Sequence, residues 1–315
     1  MKNYLKEAKN IHLSYYLEAA DLLDIKYEMI VEGLLARFEY KDKHWFIVRT
    51  VPPLINSPGK TIASKKHLAN TILKTAGLPT PKHKLLKTPQ EALEFFEEEK
   101  DIVIKPTTTL GGRGVSILPS CSKEVLSSFN FAYKNSKDNS TTKVIAEKYI
   151  HGENYRFLTL PEEVVGIVKR LKPYIKGDGK SSIKDLINKT NPAIPIDIET
   201  EKVLKTQGFD LESIPKEGEH VIARNNTNLT TGGKTQEFSK QAHPYYKELA
   251  MKAIKAIDIK LGGVDIIAKD ITKPGDCVIN EINYNPGLRI HYQVDKGEKI
   301  KVAIPIMKYI RDNRL

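Results

Sequence analysis

Residues 277–292 read CVINEINYNPGLRIHY, and their pattern sets the reading of the whole chain. Alternate residues of a strand project from one face, so Glu281 and Asn283 are expected to point together; Ile279, being apolar, is expected to face the other way into a core. A carboxylate and an amide oxygen on one rigid surface suit a hard cation such as Mg2+, which fills its octahedral shell with oxygens from waters and phosphates. Asn285-Pro286-Gly287 then forces a turn, and Arg289 and His291 lie beyond it. The stretch predicts a cation site beside an anion-binding arginine. A plain strand that ends in a turn with one satisfied acid gives the same local pattern, so the rest of the chain has to decide.

Upstream, Gly262-Gly263-Val264-Asp265-Ile266-Ile267 is an apolar strand with one acid in it. An unpaired charge there is costly, so Asp265 is expected to have a cation or an arginine as partner and to supply a third oxygen beside Glu281 and Asn283. A second cluster centres on Ile102-Val103-Ile104-Lys105-Pro106, a buried-type strand ending in a lysine. It leads through Gly111-Gly112-Arg113-Gly114 into another strand. A glycine loop between strands lays backbone N–H groups on phosphate oxygens, and Lys105 adds a point charge; an ordinary glycine hairpin is the alternative. Val144 to Ile150 offers backbone groups and apolar side chains to a planar ring, with Glu153 or Asn154 in reach of sugar hydroxyls. Asn225 to Gly233 is rich in amides, hydroxyls and paired glycines. Such a loop donates neutral hydrogen bonds to a tetrahedral, phosphate-like centre, or is simply a polar loop. Gly177-Asp178-Gly179-Lys180-Ser181 is not a P-loop, because Tyr174 stands where the first glycine is required.

With 315 residues and 40% hydrophobic content, the chain has enough apolar mass for one large or two to three smaller α/β units. The first 60 residues look like a small unit with a helix near Leu13 to Leu23 and strands near Tyr27, Ala36 and Trp45. Pro52-Pro53 and Asn56-Ser57-Pro58-Gly59 then mark a boundary. Helices are expected over Lys65 to Ala76, Ser181 to Asn188 and His243 to Ile257. The 50 Lys and Arg against 39 Asp and Glu give a formal charge of +11. The lysines are interleaved with acids and no nucleic-acid motif is visible, so an anionic small molecule fits better than DNA or RNA. No apolar run of about 18 residues and no apolar signal core occur, which argues against a membrane span or secretion and makes the cytoplasm the expected compartment. The two cysteines, Cys121 and Cys277, fit neither a disulfide framework nor a thiolate zinc site.

Taken together these pieces resemble the ATP-grasp ligases, in particular the ATP-grasp domains of cyanophycin synthetase and of bifunctional glutathione synthetase. The match runs in order through Ile62 to Lys66, Lys105-Pro106 with Gly111 to Val115, Glu147, Gly152, Arg156 and Arg170 before Gly177-Asp178-Gly179. It continues through Arg224, Asn228 to Gly233, Gly263 to Asp265, and Asn280 to Asn283 with Asn285 to His291. The resemblance implies an α/β (α+β) chain with the ATP-grasp fold over 61–315, a nucleotide lid at about 82–150 and a small N-terminal α/β unit over 1–60. It implies ATP and Mg2+ as cofactors, with Asp265, Glu281 and Asn283 on the metal. Lys66, Lys105 and the loop at Gly111, Gly112 and Gly114 would hold phosphates. Glu147, Lys148 and Ile150 would frame adenine, and Glu153 or Asn154 the ribose. Arg224, Arg289, Asn228, Gly232 and Gly233 would serve the transferring group, and Arg156, Arg170, Arg289 and His291 the substrate.

In such enzymes a substrate carboxylate takes the γ-phosphoryl group and an amine then displaces phosphate, so amino-acid or peptide substrates are implied, with a homodimer left open. Asn154 stands where relatives carry an acid, Lys65 where an aspartate is usual, and Glu237 where an aspartate is usual. Neither extra catalytic domain of those relatives is seen, which favours a stand-alone amino-acid or peptide ligase over iterative cyanophycin synthesis. A glutathione-synthetase-like ligase and a catalytically silent nucleotide-binding module are the alternatives.

Overall fold

The computed structural model describes residues 2–108, 114–136, 143–190, 192–227 and 229–313. Its strands, in chain order, are β1 (Lys26–Val31), β2 (Leu35–Tyr40), β3 (Lys43–Val48), β4 (His83–Leu86), β5 (Ile102–Pro106), β6 (Ser116–Ile117) and β7 (Val144–Lys148). They continue with β8 (Glu153–Thr159), β9 (Val164–Leu171), β10 (Tyr174–Lys176), β11 (His220–Ile222), β12 (Lys234–Glu237), β13 (Gly262–Ala268) and β14 (Cys277–Asn283). The chain divides into two compact units, Met1–Pro81 with Ile150–Lys169 and Glu237–Leu315, and Lys82–Tyr149 with Arg170–Gln236.

A five-stranded sheet runs in the order β12-β9-β8-β13-β14, of which β8, β13 and β14 lie wholly in the first unit. Alternation along β8 and β13 sends Tyr155, Phe157, Val264 and Ile266 to one face, where they meet Tyr246, Leu249, Ala250, Ala253 and Ile254 of the helix Pro244–Ala256. Burial of each large side chain there contributes about 1.5–3 kcal/mol, which explains why this helix carries its apolar residues on one stripe. The opposite face carries Arg156 and Asp265, a buried ion pair, and at Leu158 it passes into a second core. That core joins Leu13, Tyr16 and Leu17 of the helix Ile11–Leu22, Phe38 and Ile47 of the antiparallel β1-β2-β3 sheet, and Ile306, Met307 and Ile310 of the helix Ala303–Asp312. The Asn10 side chain caps the first of these helices by accepting from the His12 and Leu13 amides.

In the second unit, the sheet β4-β7-β5-β6 packs on the helices Pro89–Glu99 and Ser122–Asn135 through Phe95, Ile102, Ile104, Val125, Phe129 and Ala146. The antiparallel pair β10-β11 covers a separate small core of Ile175, Ile183, Ile187, Ile194, Leu204 and Val221. The helix Ile183–Asn188 begins on Ser182, whose side chain accepts from the Asp185 amide. No helix among the described residues is long and apolar enough to cross a membrane.

Candidate active site

Strand register assembles the acidic centre. On antiparallel strands, residues opposite one another share a face. β13 pairs with β14 so that Asp265 faces Glu281 and Gly263 faces Asn283, and β8 places Arg156 opposite Asp265. A register shift follows Asp265, where Ile266 pairs with Ile279 and Asn280 is the extra residue. This bulge reverses the alternation at the right point. Ile279 and Ile282 both enter the core, at 0% and 2% exposure, while Glu281 and Asn283 face the other way. Without it, period-2 alternation would put Ile279 on the same face as Glu281.

Asp265 is 1% exposed and takes a two-pronged grip from Arg156, whose Nε donates to Oδ1 and whose Nη2 donates to Oδ2 at 2.8 Å. Burial works against the Arg156 charge, but the carboxylates of Asp265 and Glu281 outweigh it and hold its pKa above the ordinary value. Gly263 makes room for that arginine, because a Cβ there would sit 3.0 Å from Arg156 Cδ. Lys66, the first residue of the helix Lys66–Thr75, brings Nζ to 3.3 Å from Glu281 Oε1. Asn283 Nδ2 donates to the Gly263 carbonyl at 3.4 Å.

The donor set suits Mg2+. Two carboxylates and an amide lie on one face, and among the described residues no group of three or more His, Cys, Asp and Glu side chains could hold a metal ion by itself. An incomplete all-oxygen set is what a cation that keeps waters and phosphates as ligands requires. Lys66 and Arg156 already balance the two carboxylates, so a bound divalent cation would leave the face positive toward a polyphosphate.

The nucleotide-binding candidates of the second unit are equally knitted. Lys105 and Glu147 are buried, at 6% and 2% exposure, and Lys105 Nζ donates to Glu147 Oε2. Lys148 is half exposed and reaches Glu99 at 3.0 Å, while its amide donates to the Lys82 carbonyl. Gly114 has φ +73°, and a Cβ there would meet Asn135 Cβ at 2.7 Å and Pro106 Cγ at 2.8 Å. Gly111 and Gly112 lie outside the described residues, as does Asn228. In the first unit Ile150 is partly buried, Glu153 is exposed and pairs with Lys169 at 3.2 Å, and Asn154 keeps a buried Oδ1 with no hydrogen-bond partner.

Arg224, 6% exposed, sits in a ring of acceptors that sequence reading missed. Its Nη1 donates to Asp197 Oδ1 at 2.8 Å, to Thr200 Oγ1 at 2.9 Å and to the Pro195 carbonyl at 3.2 Å, and its Nη2 donates to Glu199. Asp197 caps the helix Ile198–Thr206 by accepting from the Thr200 amide. Burial raises its pKa, but Arg224 and that amide outweigh burial and hold it below the ordinary carboxylate value. The available signal was an aspartate cap followed by acids at a helix start. Asn226 is drawn into the same ring, its Nδ2 donating to Glu199 and its Oδ1 accepting from Thr231 at 2.7 Å. Arg170 Nη2 donates to the Thr227 carbonyl at 3.3 Å. Gly232 has φ +90° and lies where a Cβ would collide with Ile194 Cγ1 at 2.5 Å; Gly233 beside it is buried.

Past the turn at Pro286, Arg289 is exposed and opens the short helix Arg289–Tyr292, whereas His291 is 1% exposed and neither ring nitrogen has a partner. Burial first, and then the Arg156 charge, push the His291 pKa down to about 3. His12, which sequence reading also missed, accepts from the Leu288 amide at Nδ1, 3.3 Å away. Burial and the Arg289 charge push its pKa down to about 4, so at neutral pH its Nδ1 lone pair is available.

A family model for the RimK-like ATP-grasp domain matches residues 210–310. The chain is 34% identical over 266 residues to the glutathione biosynthesis bifunctional protein of Clostridium perfringens, a match covering 78% of this chain and 34% of that protein. It is 28% identical over 309 residues to the cyanophycin synthetase of Geminocystis herdmanii, covering 92% of this chain and 35% of that protein. The crystal structure of a bifunctional glutathione synthetase from Pasteurella multocida aligns with a TM-score of 0.68 at 23% identity, over 96% of this chain and 44% of that one. The chain spans about a third of the length of these curated relatives.

Proposed function

We propose, from the premise that this chain carries a RimK-like ATP-grasp domain, that it is an ATP-dependent carboxylate–amine ligase joining amino acids or short peptides. The observation that carries the reading is the single face bearing Asp265, Glu281 and Asn283, with Lys66 and Arg156 balancing its charge. Asp265, Glu281 and Asn283 would hold Mg2+, which when bound would neutralise phosphate charge. Lys66 and Lys105 bind phosphates, with the loop at Gly111, Gly112 and Gly114 over them. Glu147, Lys148 and Ile150 frame the adenine, and Asn154 or Glu153 takes the ribose; the unpartnered Asn154 Oδ1 supports that role as a hydroxyl acceptor.

A substrate carboxylate oxygen bonds to the γ-phosphorus and ADP leaves; the amine nitrogen then bonds to the acyl carbon, loses its proton, and phosphate leaves. No protein nucleophile is needed, because positioning and charge compensation supply most of the catalysis of phosphoryl transfer. Arg289, with Arg224 and the loop of Asn228, Gly232 and Gly233, stabilises the transferring group. Arg289 also binds the substrate, with Arg156, Arg170 and His291 completing the substrate side. His291 acts there from a buried position and Arg156 from a mostly buried one, by fixing Asp265. The reading places the enzyme in the cytoplasm, and sedimentation of the purified chain decides between monomer and homodimer.

The test is ADP release from the purified chain with Mg-ATP against pooled amino acids, dipeptides and γ-glutamylcysteine, with mass spectrometry of the products. A mass equal to two reactants minus water is the expected result. A product from γ-glutamylcysteine and glycine would give the glutathione-synthetase-like form of the same reading. ATP binding with no turnover from any pool would overturn the ligase and leave a silent nucleotide-binding module, whose cations are all compensated internally as Lys105, Arg156 and Arg224 are here.

A further inference from the structure

The helix Ile11–Leu22 lies far upstream of every residue assigned above, yet one of its faces grips both ends of the segment that carries Arg289. His12 and Tyr15 are three residues apart and therefore neighbours on the helix surface. His12 covers the entry to the short helix: its Nδ1 accepts from the Leu288 amide at 3.3 Å, and a Cβ at Gly287 would sit 3.5 Å from its Cε1. Tyr15 covers the exit: its ring stacks on Tyr292 with centroids 3.7 Å apart and planes 9° from parallel. The turn is held from a third direction, since Thr50 Oγ1 donates to Asn285 Oδ1. Leu288 itself is fully buried in the core shared with Leu13, Tyr16 and Leu17. Arg289 is close enough for its charge to act on both the His12 ring and the Tyr15 hydroxyl.

We infer that His12 is a positioning residue for Arg289: by accepting the Leu288 amide it sets the backbone direction from which the Arg289 guanidinium reaches an anionic reactant. The inference rests on the proposed ligase reading only for what Arg289 does; the clamp is a property of the fold. Loss of the hydrogen bond from the Leu288 amide to His12 is expected to cost about tenfold in reactant affinity.

The test compares His12→Phe, which keeps a ring and removes the acceptor, with His12→Asn, whose amide oxygen restores an acceptor near the Nδ1 position. Hydrogen–deuterium exchange of the full chain, without nucleotide, is followed over residues 285–292. Faster exchange in His12→Phe, recovered in His12→Asn, is the expected result. Unchanged exchange in His12→Phe overturns the clamp. So does equally fast exchange in both variants spread over residues 11–22, because the helix would then merely have come loose. In the ADP assay, with the amino-acid or dipeptide pair that gives product, His12→Phe is expected to raise the KM of the anionic reactant about tenfold. The KM for ATP should stay within about twofold, and Arg289→Lys should add little to His12→Phe. Fully multiplicative effects would overturn the coupling. If the exchange result holds and no pair releases ADP, the ligase reading falls and the clamp stands.

Discussion

Replacing Glu281 by glutamine separates what the acidic face does for folding from what it does for chemistry. The side chain is about a third exposed and pairs with Lys66 across 3.3 Å. Pairs of that kind contribute roughly 0–1 kcal/mol, and glutamine keeps the shape and one acceptor oxygen. For a chain of this size the melting temperature is then expected to fall by no more than about 2–4 °C. Activity should respond differently under the proposed assignment, because the variant removes one of the two carboxylates, Asp265 and Glu281, that share the proposed metal-binding face. Changes beyond the direct ligands commonly cost 10–100-fold, so loss of a ligand is expected to lower ADP release by at least about 100-fold. The defect should be partly relieved as Mg2+ is raised from about 1 to 50 mM, since weakened binding is restored by mass action. Thermal melting and initial rates on one preparation check both halves. Near-normal turnover at low Mg2+, or a fall in melting temperature as large as that of an Asp265 variant, would refute the assignment.

Asp265→Ala should behave in the opposite way: it strands the Arg156 guanidinium in a buried place, and roughly 3–5 kcal/mol of stability is expected to go, read as a lower urea midpoint. Gly114→Ala combines φ +73° with contacts of 2.7 and 2.8 Å and should cost at least about 1–2 kcal/mol, measured by urea unfolding. For His291 the sign follows from a folded-state pKa near 3 against an ordinary 6.5: the folded chain binds fewer protons, so its contribution is intact above pH 6.5 and fades as the pH falls toward 3. At pH 5 the loss is about 2 kcal/mol, and His291→Leu should therefore lose less melting temperature than the wild type between pH 7 and pH 5; parallel losses would sink the assignment. Asp197→Asn together with Glu199→Gln should loosen Arg224 and speed hydrogen exchange across residues 222–227, detected by mass spectrometry.

What could be read from the sequence depended on how local its physical cause was. The helix Pro244–Ala256 has an unbroken apolar stripe and a proline in its first turn, and the expected range differs from the structure by a residue at each end. Glu281 and Asn283 share a face as strand alternation requires, but the turning of Ile279 into the core depends on a bulge against β13, which no property of residues 277–283 alone encodes. Asn56-Ser57-Pro58-Gly59 reads in sequence as a boundary marker, and its local structure is not legible from that reading. It is a capped helix start, since proline in the first turn lacks only an amide that the helix would leave unbonded anyway, and Gly59 admits the Ile259 side chain. The grip of Asp197 and Glu199 on Arg224 joins positions 25 or more residues apart, and that of Arg156 on Asp265 spans 109; periodicity has no access to such pairings.

The core that unites Leu13 and Phe38 with Met307 and Ile310 has a consequence for how the chain is made. At about 5–20 residues per second, a ribosome needs roughly 15–60 s between releasing the first of these side chains and the last. During that interval the β1-β2-β3 meander and the helix Ile11–Leu22 exist with one side of their packing absent, and their apolar faces are open to chaperones. The helix Ala303–Asp312 therefore works as a closing piece for this core, added about 290 residues after the helix Ile11–Leu22 that it covers. Pulse-labelled nascent chains should stay protease-sensitive over residues 1–50 until the helix Ala303–Asp312 has cleared the exit tunnel, and the transition should then be abrupt.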